Sequence, residues 1–342
     1  MRFSDIIGQE RAKGFLKRVM GERKVPHAYL FTGIPGIGKT SMATALTMAL
    51  NCHEPGDLDG CGNCPSCRRL VGGNFPDFIL IRPDGQNIKI EQIRELNRRL
   101  GFAPVSASFR VCVLQQAETM TSEAANSFLK TLEEPPAGNI LILSAREPLD
   151  LLPTIVSRCQ RVPFQPLPTR AMVDWLVSQR GLDRQKAEVA ARGAAGSLGT
   201  ALRICDENFL EMRKEWLSAL LKLPAISIGE AVEMAFQWTR KNRQIRGGDA
   251  EPGGSVLMDM LHVWGSWYRD LLLVKVGGPG DLIINVDFSD RMGPVTKCFR
   301  RAALVESLLV VSQAVRDLRR MRNAALVLER AVLHLKRLAL TG

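Results

Sequence analysis

The sequence predicts an α/β nucleotide-type domain, a parallel sheet with helices on both faces, followed by helical domains without strands. Three observations predict it. A phosphate-cradling loop joins a short apolar strand to a helix. Further apolar strands alternate with amphipathic helices as far as residue 166. Beyond Pro166-Leu-Pro168 the strand signal disappears.

The loop is Gly33-Ile-Pro-Gly-Ile-Gly-Lys-Thr40, a G-x-x-x-x-G-K-T pattern with Ser41 behind it. Gly33, Gly36 and Gly38 let the backbone curl so that its N–H groups face one concavity. In such a loop Lys39 reaches the β- and γ-phosphates and the Thr40 hydroxyl sits on Mg²⁺. The context is right as well: Ala28–Phe31 reads as a buried strand and Ser41–Leu50 as a helix, so a phosphate would meet a helix N-terminus.

In chain order, Gln9 to Met20 reads as a helix, followed by the strand, the loop and the helix just described. A turn-rich stretch runs to Cys67, with a helix through Leu70 and a strand at Phe78–Ile81. Lys89 to Leu100 is helical, with Ile90, Ile93, Leu96 and Leu100 on one face. Arg110–Leu114 is a buried strand, and Ser122 to Glu134 is a helix stopped by Pro135-Pro136. Strands follow at Asn139–Leu143 and Val162–Phe164. Three short helices, 170–179, 183–195 and 199–205, make a small helical domain. Long amphipathic helices then cover 212–223, 228–240, 256–276 and 302–338, the last broken near Asn323. Lys241 to Gly254 reads as a polar, glycine-rich connector. The expected division is 1–166, 167–207 and 208–342.

A chain of 342 residues has room for two or three cores. Its 46 Lys and Arg against 35 Asp and Glu give a net charge of +11, which suits a polyanionic partner without requiring one. Met1–Gly8 lacks the apolar core of a signal peptide, and no apolar run reaches membrane-spanning length. A cytosolic protein with reduced thiols is therefore expected.

Four of the eight cysteines, Cys52, Cys61, Cys64 and Cys67, fall in a C-x₈-C-x₂-C-x₂-C pattern with Gly60, Gly62 and Pro65 between them. Short steps let soft thiolates converge on one ion, and four protein ligands leave no open position. A structural Zn²⁺ within 52–67 is the expectation, with an Fe–S cluster the weaker alternative. His53 reads as a surface residue, and Cys112, Cys205 and Cys298 as core residues.

With Ser157-Arg-Cys159 added to the loop and the cysteine cluster, the chain resembles the clamp-loader subunits of bacterial DNA polymerase III, which are AAA+ proteins. Ile7-Gly-Gln9, His27–Phe31, Asn126–Lys130, Leu132–Pro135 and Pro153–Cys159 carry the likeness. Trp267–Leu271 and Asn285–Asp287 resemble the collar of the delta-prime type, with gamma/tau the alternative; length also favours delta-prime, because gamma/tau chains run on past the collar. The resemblance implies an AAA+ domain, a helical lid and an oligomerising collar. It implies a cytoplasmic, replisome-associated hetero-pentamer with gamma/tau- and delta-type subunits, a sliding clamp and primed DNA as partners, and ATP or ADP with Mg²⁺ at Gly33, Gly36, Gly38, Lys39, Thr40 and Ser41. It also implies that Arg158 acts in trans as an arginine finger in a neighbour's site.

The departures matter equally. Where this class needs an Asp for Mg²⁺ and a Glu to position water, the chain has Gln115 and Gln116. Glu118 lies too far along to replace either simply. Ser144-Ala-Arg146 is a poor first sensor, and the second-sensor arginine falls on or near Gly199. The subunit is expected not to hydrolyse ATP itself.

Overall fold

The computed structural model describes residues 1–245, 256–320 and 322–340. The connector expected at 241–254 lies outside the described residues from 246 onward; its first residues continue a helix to Ile245. The chain divides into two compact units, Met1–Trp175 with Ala195–Thr200, and Leu176–Ala194 with Ala201–Gly342.

The first unit holds strands β1 (Ala28–Thr32), β2 (Phe78–Ile81), β3 (Arg110–Leu114), β4 (Asn139–Ala145) and β5 (Gln160–Pro163) in the order β2-β3-β4-β1-β5. All the pairings are parallel. Helix α1 (Glu10–Gly21) precedes β1, and α2 (Lys39–Leu50), α3 (Pro65–Val71), α4 (Ile90–Leu100), α5 (Ser122–Glu133) and α6 (Pro153–Val156) connect the strands. Residues along each strand alternate between two cores, as the period of two requires. Leu30, Cys112, Leu114, Leu141 and Leu143 pack with Ile93 and Leu96 of α4 and Phe128 and Leu132 of α5. Tyr29, Phe31, Val111, Val113, Ile140 and Ile142 pack with Leu16 of α1 and Met42 and Leu46 of α2. Burial on both faces is why these strands read as continuous apolar runs.

This unit differs from the sequence reading at its last strand and at one short helix. The last strand begins at Gln160 rather than Val162, because its pairing with β1 starts at Tyr29. Phe164 falls outside the strand although its amide still donates to Thr32 O at 2.8 Å. Helix α6 is only four residues long, barely one helical turn, so periodicity cannot reveal it.

Helices α7 (Thr169–Arg180) and α9 (Leu198–Ile204) cross the division between the units, and α8 (Arg184–Gly193) belongs to the second. That unit continues with α10 (Glu207–Lys222), α11 (Ile228–Ile245), α12 (Val256–Lys275), α13 (Ser289–Lys297), α14 (Arg301–Arg319) and α15 (Ala324–Leu340). Trp264 and Trp267 of α12 are among its fully buried side chains. Asn323 marks the expected break, its Oδ1 accepting from the Ala325 amide at 3.0 Å. Helix α13 went unread because Gly293-Pro294 interrupts its pattern, and Pro294 lies inside it. Cys298 is exposed, not core.

The two collar-like stretches meet in one buried network. Asp270 accepts from the amides of Ile284 (3.0 Å) and Asn285 (2.8 Å) and from Asn285 Nδ2 (2.8 Å). Asn285 Oδ1 accepts from Arg213 Nη2 at 2.6 Å, and Arg213 also pairs with both oxygens of Asp287 at 2.7 and 3.0 Å. Asp270 and Asn285 are both 0% exposed, so these bonds exclude water and hold the 284–287 turn on α10 and α12. No helix among the described residues is long and apolar enough to cross a membrane.

Candidate functional site

The phosphate loop leaves the C-terminal end of β1 and enters α2, where sequence placed it. Gly33, Gly36 and Gly38 adopt φ of +145°, +73° and +105°, a backbone that side chains rarely permit. Gly38 is the N-cap of α2, and no side chain caps it. The first-turn amides at Lys39, Thr40 and Ser41 have no intrahelical acceptor and can meet a phosphate. Lys39 donates to the carbonyls of Gly33 and Ile34. Burial pushes its pKa down to about 8, opposed by Glu118 and assisted by Arg146. A poorly solvated ammonium, held by carbonyls beside unpartnered amides, fits a phosphate group.

The hydrolytic positions fit it less well. Gln115 follows β3 and donates from Nε2 to Thr40 Oγ1 at 2.6 Å, so an amide occupies the hydroxyl that a Mg²⁺ ion would take. Gln116 has a left-handed φ of +52°, and its amide donates to Ser144 Oγ at 3.3 Å. Glu118 is half-buried, with an Oε2 that has no hydrogen-bond partner. Burial raises its pKa against the pull of its own amide and of Lys39.

Gly199 lies against the loop itself. Its amide donates to Gly36 O at 2.9 Å, and a Cβ there would stand 2.9 Å from Gly36 Cα. Ser197 Oγ donates to Pro35 O at 2.8 Å. The contact explains why this position holds no arginine: any side chain would force the two backbones apart.

Arg158 sits at the end of α6, with Nη1 donating to Thr154 O at 2.9 Å and Nη2 paired with the Glu133 carboxylate. Strand register separates it from the phosphate loop. Tyr29 pairs with Gln160 and Thr32 with Pro163, so Arg158 precedes the edge where β1 begins while Gly33 follows the edge where it ends. The strands alone put about 10 Å between the two edges. The structure brings Gly33, Gly36, Gly38, Lys39, Thr40 and Ser41 together and leaves Arg158 at the opposite, N-terminal end of the strands.

The four cysteines converge. The Sγ atoms of Cys52, Cys61, Cys64 and Cys67 all lie within 4.8 Å of one another, against about 3.8 Å between sulfurs around a tetrahedral ion with 2.3 Å Zn–S bonds. Backbone amides already serve the sulfurs: Cys61 N to Cys52 Sγ at 3.2 Å, and Asn63 N and Cys64 N to Cys61 Sγ at 3.4 and 3.3 Å. The amides of Asn63 and Cys64 lower the Cys61 pKa. Burial opposes ionisation of Cys64, but the amides and thiols around it bring its pKa down to about 6. The set can hold a metal ion. His53 contacts Ser66 Oγ at 3.3 Å and stays outside it.

Two residues at these sites escaped the sequence reading. Asp59 accepts from the amides of Phe3 (2.9 Å), Ser4 (3.0 Å) and Gly60 (2.8 Å), tying the cysteine module to the start of the chain. Only contacts across more than fifty residues reveal it. Arg146, set aside as a poor sensor, has its carbonyl on the Gly33 amide at 2.9 Å.

The module also has a small core of its own, Met48, Cys67, Leu70 and Phe75. Cys64→Ser, or treatment with a chelator, should therefore speed hydrogen exchange at residues 52–72 and at the Phe3 and Ser4 amides while β1, β3 and β4 stay protected. Exchange rising equally across the sheet overturns this local effect, and metal analysis finding no zinc in protein purified without chelator overturns the expectation of a structural zinc.

The family model described as DNA polymerase III, delta subunit, matches residues 8–168. The DNA polymerase III subunit delta' of Pseudomonas aeruginosa is 35% identical over 227 residues, 64% of this chain and 67% of that protein. Subunit tau of Bacillus subtilis is 34% identical over 212 residues, 60% of this chain, so that the chain spans only 37% of that relative's length. A crystal structure of a DNA polymerase III gamma subunit-related protein from Thermotoga maritima superposes with a TM-score of 0.48 at 19% identity, covering 95% of this chain and 99% of that one. The length of the delta' match, together with a parallel sheet carrying a phosphate loop, shows that the chain belongs to the AAA+ clamp-loader subunits of DNA polymerase III, the family that includes both delta' and gamma/tau.

Proposed function

We propose that the chain is a delta'-type clamp-loader subunit that grips a nucleotide without hydrolysing it and lends Arg158 to the ATP site of a neighbouring subunit. The observation that carries the reading is the Gln115–Thr40 hydrogen bond: the hydroxyl and the strand end that hold the catalytic Mg²⁺ in this class here satisfy each other. Gln116 in place of a water-positioning carboxylate and Gly199 against Gly36 support it. Arg158, at the opposite end of the strands from the loop, suits a site across an interface. Its partners are gamma/tau- and delta-type subunits in a hetero-pentamer that loads a sliding clamp on primed DNA. Residues 1–166 act as the AAA+ domain, 167–207 as the lid and 208–342 as the collar. The metal of Cys52, Cys61, Cys64 and Cys67 is zinc, in a structural role.

The test is ATP turnover by the purified chain, expected at background. Robust turnover abolished by Lys39→Ala would instead establish the gamma/tau-type reading, which the match to a tau subunit keeps in view.

A further inference from the structure

We propose that the phosphate loop binds its nucleoside polyphosphate without magnesium, with Gln115 standing on Thr40 in the metal's place and Arg146 joining Lys39 as the cations that meet the phosphates. The inference rests on reading Gly33–Thr40 as a nucleotide site.

Magnesium normally does two things in such a loop: it is held by the Thr hydroxyl and a carboxylate at the end of the neighbouring strand, and it neutralises phosphate oxygens. Both holders are altered here: the hydroxyl already accepts an amide hydrogen, and the strand end carries a neutral amide in place of a carboxylate. The Thr40 hydroxyl accepts a 2.6 Å bond from Gln115 Nε2, and an octahedral, strongly hydrated ion gains little from a neutral amide in exchange for its water. The remaining carboxylate, Glu118, acts on the charge of Lys39. Half-buried, it pays a desolvation cost in its charged form.

The neutralising role passes to side chains. Arg146 follows β4 with its carbonyl bonded to the Gly33 amide at 2.9 Å, at the root of the loop. Its side chain is exposed. Its charge is felt at Lys39, which it makes harder to protonate. Two cations that repel each other, with one half-buried carboxylate acting on both, become favourable together when a polyanion arrives. A guanidinium also offers the bidentate geometry that phosphate oxygens accept.

The test is calorimetric titration of the full chain with ADP and with ATP, in excess magnesium and in resin-treated buffer with magnesium omitted. Omission rather than chelation keeps the metal of the cysteine cluster in place. The affinities should agree within about twofold between the two buffers. Gln115→Asp should introduce a magnesium requirement of about tenfold or more, and Arg146→Ala should weaken binding about fivefold or more in both buffers. Wild-type affinity falling about tenfold when magnesium is omitted overturns the proposal while leaving the nucleotide site intact. Unchanged affinity in Arg146→Ala removes that residue's role. Failure of folded protein, verified by circular dichroism, to bind either nucleotide in both buffers overturns the nucleotide site itself.

Discussion

Arg158→Ala is expected to slow ATP turnover at the interface it serves by about a thousandfold, the low end of what an arginine finger contributes, with assembly of the complex unaffected. The guanidinium would leave Glu133 and Thr154 to stabilise charge on a transferred phosphoryl group next door, where low water content makes each interaction strong. A complex reconstituted with a single competent site facing this subunit gives the rate directly, and gel filtration reports assembly. Glu133→Ala separates the two roles of the arginine. It removes the ion pair but leaves the finger, so turnover should stay near wild type. An equal loss in both variants would mean that Arg158 matters only for local structure.

Asp270→Ala should destabilise the second unit by roughly 3 to 5 kcal/mol, the cost of breaking a buried charged network by removing one member. The substitution strands the amides of Ile284 and Asn285 and releases Asn285 from the orientation in which it accepts from Arg213. Denaturant unfolding followed by tryptophan fluorescence is the measurement. Of the five tryptophans, Trp216, Trp238, Trp264 and Trp267 all lie in the second unit, so the signal reports that unit. A loss below about 1 kcal/mol would place Asp270 among ordinary surface-like substitutions and refute the network's structural weight.

How far the chain could be read before folding depended on how local each signal is. The phosphate loop and its glycines, the apolar strands and the cysteine spacing were all legible, because backbone conformation, strand burial and ligand convergence over short steps are written within a few residues. Helix α6 and the proline-interrupted α13 were not, since a single turn and a broken period leave no pattern to count. The missing hydrolytic acids were visible as Gln115 and Gln116, but what Gln115 does instead was not. Its partner Thr40 is 75 residues away. Arg146 looked like a failed sensor, and its place at the root of the loop comes only from a bond to Gly33 across the parallel sheet.

The sequence by itself determined the α/β class, the phosphate loop, the cysteine set and the identity of the groups this chain lacks. Tertiary structure alone decided that Thr40 accepts an amide hydrogen, that Gly199 must be a glycine because it lies on Gly36, that Asp270 and Asn285 share one buried network, and that Arg158 stands at the opposite end of the strands from its own phosphate loop. The physical reason is common to all four. Residue type and short-range spacing limit the chemistry a segment can offer, whereas strand register and packing choose which of those groups, distant along the chain, come within hydrogen-bonding reach.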